Sequence, residues 1–375
     1  MATQPQLSYS PGLDGVIAGE SSICHVDPEA GLRYRGYDVE ELAEKVGFEP
    51  VAWLILTGEL PAKESLAKFR SDLAAAAPLP KEVLDMLRCF PKSARPMDVL
   101  RSGVSMLAAF DPDIGRCDHD SNLRKSVRLL ARVTSVTTAA WRVRSGLDPI
   151  TAPDLTLGGR MLMELTGKRP EPWREKMMNA VYVLYAEHEF NASTFAARVT
   201  ASTLADMYSA VTAAIGTLEG ALHGGANEMA MTMLRDIGSA DAAEGWVKQR
   251  LAKKEKIMGF GHRVYKHGDS RVPMMRKLLD EASVHTGQTQ WPAICRKLEA
   301  VLEKEKGLFA NLDLYAAPVL DVLGIPVALN TPLFACSRIS GWCAHVIEQQ
   351  DHNRIIRPRC LYTGSPPRGV APGGV

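Results

Sequence analysis

The chain has 375 residues, 46% apolar and 23% charged, with a formal net charge of +1. Such a balance suits a globular protein of about two or three domains and excludes a general binder of nucleic acid or membrane surfaces, which needs a concentrated basic field. The seven scattered cysteines form no Cys-x-x-Cys pair, as expected in a reducing compartment rather than in a disulfide frame.

Met1 to Ser10 carry no positive charge and no apolar run, so no secretory signal is expected. Strand-like alternation is confined to Gly15 to Tyr37, where Gly19, Asp27-Pro28 and Gly31 mark the turns of a small hairpin. Beyond it, apolar residues recur at three- and four-residue steps, the spacing of one helix face. The segments are Ser65 to Ala77, Lys81 to Phe90, Asp98 to Phe110, Ser121 to Val143, Trp173 to His188, Thr194 to Leu204, Tyr208 to Leu218, Asn227 to Ile237, Trp291 to Lys306 and Thr331 to Gln350. Pro61, Pro80, Pro172 and Pro332 sit where a first helical turn tolerates proline, and Asp98 and Ser121 are candidate caps. The apolar stretch Val322 to Ser337 is broken by Gly324, Pro326 and Pro332, too short and interrupted to span a bilayer. The expectation is a soluble, cytoplasmic, all-α protein with a minor N-terminal β element. Before about Leu218 the sequence is rich in small residues such as Ala196, Ala201 and Ala213. Lysine-rich sequence follows from Val247 to Lys256, which marks a domain boundary in between.

Three short stretches carry chemistry. In Leu222-His223-Gly224-Gly225-Ala226-Asn227-Glu228 a histidine precedes two glycines and a helix start. Unpaired backbone N–H groups there disfavour imidazolium and leave a neutral ring able to donate a hydrogen bond. A loop histidine over a turn is the plainer alternative. Gly259-Phe260-Gly261-His262-Arg263-Val264-Tyr265-Lys266 sets a glycine-flanked histidine before a basic cluster that continues to His267 and Arg271. A mobile loop of this kind suits a phosphorylated or carboxylated ligand, and a solvated charge run is the alternative. In Asn311-Leu312-Asp313-Leu314-Tyr315 an aspartate lies between leucines, a setting that destabilises its ionised form and makes it a better base. The alternative is a helix cap before Leu314. A carboxylate with two hydrogen-bond donors is the set needed to make a carbanion equivalent beside a carbonyl.

Arg338 sits in the apolar run Leu333 to Ser340, and Arg357 follows Ile355-Ile356. A guanidinium fork in such surroundings meets a carboxylate, from a ligand or from the protein itself. With Arg271 the two make a candidate dicarboxylate site. His188, His223 and His262 lie far apart and no His-Glu-x-x-His is present, so no metal is expected.

The order and wording of these segments resemble the citrate synthase family from about Gly15 to Gly364. Arg33-Tyr34-Arg35-Gly36-Tyr37, Leu54 to Pro61, Glu187-His188-Glu189 with Asn191-Ala192-Ser193-Thr194-Phe195, and Arg357-Pro358-Arg359 before Tyr362-Thr363-Gly364 are similar as well. The resemblance implies a two-domain helical fold: a large domain over residues 1–219 and 324–375, and a small one over 220–323. It implies a homodimer whose small domain closes over the cleft. It also implies condensation of acetyl-CoA with oxaloacetate, followed by hydrolysis of the citryl thioester with no cofactor. Asp313 would be the base, His223 the donor to the thioester oxygen, and His262 the donor to the oxaloacetate carbonyl. His188, Arg271, Arg338 and Arg357 would hold oxaloacetate, Arg357 from the partner subunit. Arg263, Lys266 and Lys306 would lie near coenzyme A phosphates. A 2-methylcitrate synthase using propionyl-CoA shares every one of these segments. A catalytically inactive acyl-CoA-binding homologue and the citrate-cleaving part of an ATP-dependent lyase are further alternatives; the latter is disfavoured by the lack of a P-loop.

Overall fold

The computed structural model describes residues 9–27, 29, 31–261, 265 and 268–369. Strands β1 (Cys24–Asp27), β2 (Gly31–Tyr34) and β3 (Tyr37–Asp38) form one antiparallel sheet in that order. Cys24 faces Tyr34 and Val26 faces Leu32, so one face of the hairpin lies on the core. The sheet feeds α1 (Val39–Lys45), opened by Asp38, whose carboxylate accepts from the Glu40 and Glu41 amides.

Fifteen more helices follow. They are α2 (Phe48–Thr57), α3 (Lys63–Ala76), α4 (Lys81–Cys89), α5 (Pro96–Leu107), α6 (His119–Arg144), α7 (Leu157–Thr166), α8 (Pro172–Tyr185) and α9 (Ala192–Ser202). The chain continues through α10 (Met207–Leu218), α11 (Ala226–Ile237), α12 (Ala240–Ala252), α13 (Val272–Thr286), α14 (Gln290–Lys306), α15 (Leu312–Val322) and α16 (Asn330–Asp351). Nearly all of α16, its polar Ser337, Arg338, Ser340 and His345 included, is buried, because α2, α6, α8, α9 and α10 surround it. Helices α11 to α15 pack mainly on one another, with α15 between α11 and α13. No helix among the described residues is long and apolar enough to cross a membrane.

The all-α expectation holds, as does the small sheet inside Gly15 to Tyr37. Two cap assignments do not. The helix expected at Asp98 opens earlier, after Arg95, and Asp98 binds Arg95 and Arg101 from its first turn. Ser121 likewise lies inside α6, which Asp118 caps by accepting from the Ser121 amide. Pro61 precedes the first turn of α3 instead of lying in it. Helices α1, α2, α7, α12, α13 and α15 escaped the periodicity reading. Most of α2 and most of α7 are buried on several faces, which erases a one-sided stripe.

Candidate active site

Asp313 is in the first turn of α15, and the cap of that helix is Asn311, whose side chain accepts from the Asp313 amide at 3.1 Å. This removes the capping alternative for Asp313 and frees its carboxylate. Oδ1 accepts from the Tyr185 hydroxyl at 3.1 Å and from Asn227 Nδ2 at 3.3 Å. Asn227 also donates to the Tyr185 oxygen at 2.8 Å, and its own carbonyl accepts from Asn330 Nδ2 at 2.8 Å. The carboxylate is thus held through one oxygen by Tyr185 from the end of α8 and Asn227 from the start of α11, the latter supported by Asn330 at the start of α16. Oδ2 has no protein donor among the described residues. Burial raises the Asp313 pKa above the ordinary carboxylate range, against the lowering effect of Asn227, Arg271 and Tyr185.

The backbone around Asp313 is stitched to the glycine loop before it. Asn311 N donates to Gly259 O at 2.9 Å, Gly261 N donates to Phe309 O at 2.9 Å, and Asn311 Nδ2 reaches Gly261 O at 3.0 Å. Gly259 has φ +81°, and a Cβ there would lie 2.9 Å from that of Leu314. Only glycine permits that approach.

His223 lies just before α11. Its Nε2 is 2.9 Å from Ser193 Oγ, which accepts from Trp342 Nε1 at 3.2 Å and donates its own proton to Asn191 Oδ1 at 2.8 Å. Burial, helped by the Arg338 charge, lowers the His223 pKa to about 4. The ring is therefore neutral at physiological pH, with one nitrogen a donor. In a histidine-selective NMR titration His223 is expected to stay neutral until the pH falls to about 4; protonation near the ordinary value of 6.5 would contradict this environment.

Arg338, 1% exposed, donates from Nε to Tyr185 O at 2.8 Å and lies 4.8 Å over the Phe334 ring. Among the described residues no carboxylate lies within ion-pair distance of it; burial lowers its pKa, against the raising effect of the Glu187 charge further off. Arg271 differs: Asp269 grips it at 2.9 and 2.7 Å, and the same carboxylate accepts from Leu312 N at the start of α15. The alternative of an internal ion pair therefore holds for Arg271 and fails for Arg338. Both charges act on this cluster, Arg271 on Asp313 and Arg338 on His223. The His188 ring is 5.7 Å from that of Tyr265 and acts on Asp269. Phe334 touches Tyr185, His223 and Arg338 and forms an apolar floor.

The structure therefore brings Asp313, His223, His188, Arg271 and Arg338 into one group, the last three buried and Asp313 and His223 half-buried. Arg357 is exposed beyond α16 and Lys306 is the exposed last residue of α14, so neither joins that group within this chain. His262, Arg263 and Lys266 lie outside the described residues. Sequence reading missed Tyr185, Asn227, Asn330 and Asp269 as partners of the group. Asn227 was inside a quoted motif; no spacing rule links the other three to Asp313, because their approach is tertiary. Among the described residues no group of His, Cys, Asp and Glu is arranged to hold a metal ion.

A half-buried acid with a raised pKa, a neutral histidine and a buried arginine thus meet in an all-α frame, the composition of an enzyme site. The family description "Citrate synthase, C-terminal domain" matches residues 12–359. "Citrate synthase 2" of Bacillus subtilis (strain 168) is 41% identical over 360 residues, 96% of each chain. The 2-methylcitrate synthase of Mycobacterium tuberculosis (strain H37Rv) is 43% identical over 378 residues, 99% of this chain and 95% of that one. The citrate synthase of Thermoplasma acidophilum, solved as a ternary complex with carboxymethyl coenzyme A and oxaloacetate, superposes with a TM-score of 0.91 at 30% identity. It covers 98% of this chain and 99% of its own. The chain belongs to the citrate synthase family and is an acyltransferase of that type.

Proposed function

We propose that the chain condenses acetyl-CoA with oxaloacetate and hydrolyses the citryl thioester to citrate and CoA, as a cytoplasmic homodimer without a cofactor. The observation that carries this reading is Arg338, a buried guanidinium with no carboxylate partner among the described residues, beside a raised carboxyl and a neutral histidine. A lone buried charge is costly, and a dicarboxylate substrate relieves that cost.

Asp313 Oδ2 takes a proton from the thioester methyl group. A thioester C–H is far less acidic than a carboxylic acid, so the transfer needs the developing enolate oxygen to be stabilised. His223 supplies that hydrogen bond from Nδ1–H once Ser193 turns its single hydroxyl proton from Asn191 Oδ1 to Nε2, the tautomer this role requires. The new carbon–carbon bond closes on the keto carbon of oxaloacetate while His262 protonates the keto oxygen. His188, Arg271 and Arg338 hold the two carboxylates, Arg357 joins from the partner subunit, and Arg263, Lys266 and Lys306 serve the coenzyme A phosphates. Residues 220–323, which contain α11 to α15, act as the small domain that closes over residues 1–219 and 324–375 to exclude water.

The second reading is 2-methylcitrate synthase, favoured by the similar identity of relatives carrying either name. One methylene is worth only about 1–3 kcal/mol of discrimination in a pocket. Steady-state kinetics with both thioesters separates the two. Higher kcat/KM with acetyl-CoA is the expected result, and higher kcat/KM with propionyl-CoA overturns the citrate assignment in favour of the second reading.

A further inference from the structure

Glu187 precedes His188, is fully buried, and has no part in the condensation steps above. Its Oε1 is 2.9 Å from Nε2 of His345, a residue of α16 that is fully buried too. The other ring nitrogen, Nδ1, is 3.0 Å from Arg198 Nη1 on α9. A guanidinium only donates, so Nδ1 is the acceptor and the single ring proton sits on Nε2, where it is given to Glu187. Arg198 Nη1 also pairs with Glu348 at 2.7 Å, and the second oxygen of Glu348 accepts from Ser22 N at 2.8 Å. Arg198 and Glu348 balance each other and His345 in this tautomer is neutral. Glu187 is left as an acid with no arginine or lysine within ion-pair distance among the described residues.

The backbone of α16 is shaped to receive this acid next to Arg338. Gly341 lies three residues after Arg338, so the two are neighbours on one face of the helix. A Cβ on Gly341 would collide with Glu187 Oε2 and lie 2.7 Å from Ala186 O. Glycine inside a helix is destabilising, and the close approach of Glu187 accounts for it here. Two residues before Glu187, Tyr185 O accepts from Arg338 Nε at 2.8 Å. The turn after α8 therefore holds guanidinium and carboxylate close together without contact. Burial lowers the Arg338 pKa, and the Glu187 charge is the strongest influence in the other direction.

A fixed anion beside a cation that binds an anionic substrate works against that substrate. It offsets part of the positive potential of Arg338 and repels the incoming carboxylate. Asp269 does the same for Arg271, which it grips directly. We propose that Glu187, oriented by His345, is a resident counter-charge to Arg338 that holds the oxaloacetate affinity below what the arginines alone would give. Being fully buried, Glu187 acts through Arg338 and is a positioning residue, not a catalytic one. The inference rests on the oxaloacetate reading above.

Calorimetry of oxaloacetate with the full-length protein tests this. Glu187→Gln keeps an acceptor for His345 and removes the charge. It is expected to bind oxaloacetate roughly tenfold more tightly than wild type, the effect of one unit charge about 10 Å away at an effective dielectric of about 20. Glu187→Asp keeps the charge and should stay within about threefold of wild type. A residue that served packing alone would weaken binding in both variants. If the glutamine variant does not fold, Glu187→Met, neutral and of similar length, takes its place with the same expectation. Failure of both to fold makes Glu187 a structural acid and overturns the proposal. Unchanged or weaker binding by a folded neutral variant overturns it too, as does equal tightening by Glu187→Asp. Wild-type protein that binds no oxaloacetate contradicts the oxaloacetate reading and this inference with it, whereas wild-type binding without tightening in the neutral variants contradicts this inference alone.

Discussion

Replacing Asp313 by asparagine is expected to lower thiol release from acetyl-CoA and oxaloacetate by about 10³-fold or more, while oxaloacetate binding changes little. The substitution removes only the basicity. An asparagine carbonyl can still accept from Tyr185 and Asn227 at the place of Oδ1, and its amide falls where Oδ2 has no protein donor among the described residues. The helix start is preserved as well, because Asn311 is the cap. Fold and substrate site stay intact, so the loss belongs to proton removal. Stopped-time thiol assays together with calorimetry of oxaloacetate separate the two quantities. Turnover within tenfold of wild type would show that another group is the base.

The second large effect concerns Arg338. Arg338→Leu is expected to raise the oxaloacetate requirement roughly 30- to 5,000-fold, from about 2–5 kcal/mol for stranding one partner of a buried charge pair. Stability should behave differently. In the unliganded protein this guanidinium is buried with one backbone hydrogen bond from Nε and no carboxylate among the described residues, so leucine relieves a desolvation cost. A melting temperature equal to or above wild type, combined with lost oxaloacetate affinity, is the outcome that marks a substrate-binding cation. A variant that melts lower and binds oxaloacetate normally would make Arg338 a structural residue.

Much of this site was legible in the sequence, and the reason is local. His223 and Asp313 each sit within a few residues of a helix start, so the caps and glycines around them announce their surroundings. The buried arginine was legible for a similar reason: Leu333 to Ser340 holds no acidic residue to balance its charge. What stayed hidden depends on distant segments. Tyr185 reaches Asp313 from the end of α8, and Asn330 supports Asn227 from the start of α16, contacts over more than a hundred residues in sequence. Arg271 shows a different limit. Asp269 is only two residues before it, but the sequence does not say whether that acid or a ligand takes the guanidinium, and the folded turn gives two of its nitrogens to Asp269. Among the helices, α1, α2, α7, α12, α13 and α15 were not found; for α2, α7 and α15 burial on several sides leaves no period to read.

The most direct test of Asp313 as the carbon-acid base is hydrogen exchange at the acetyl-CoA methyl group in deuterated water. A hydroxydicarboxylate takes the place of oxaloacetate, so that the cleft fills but no carbon–carbon bond can form. Wild-type protein should incorporate deuterium into the methyl group, and the Asp313→Asn protein should not. Incorporation at the wild-type rate in that variant would contradict the account.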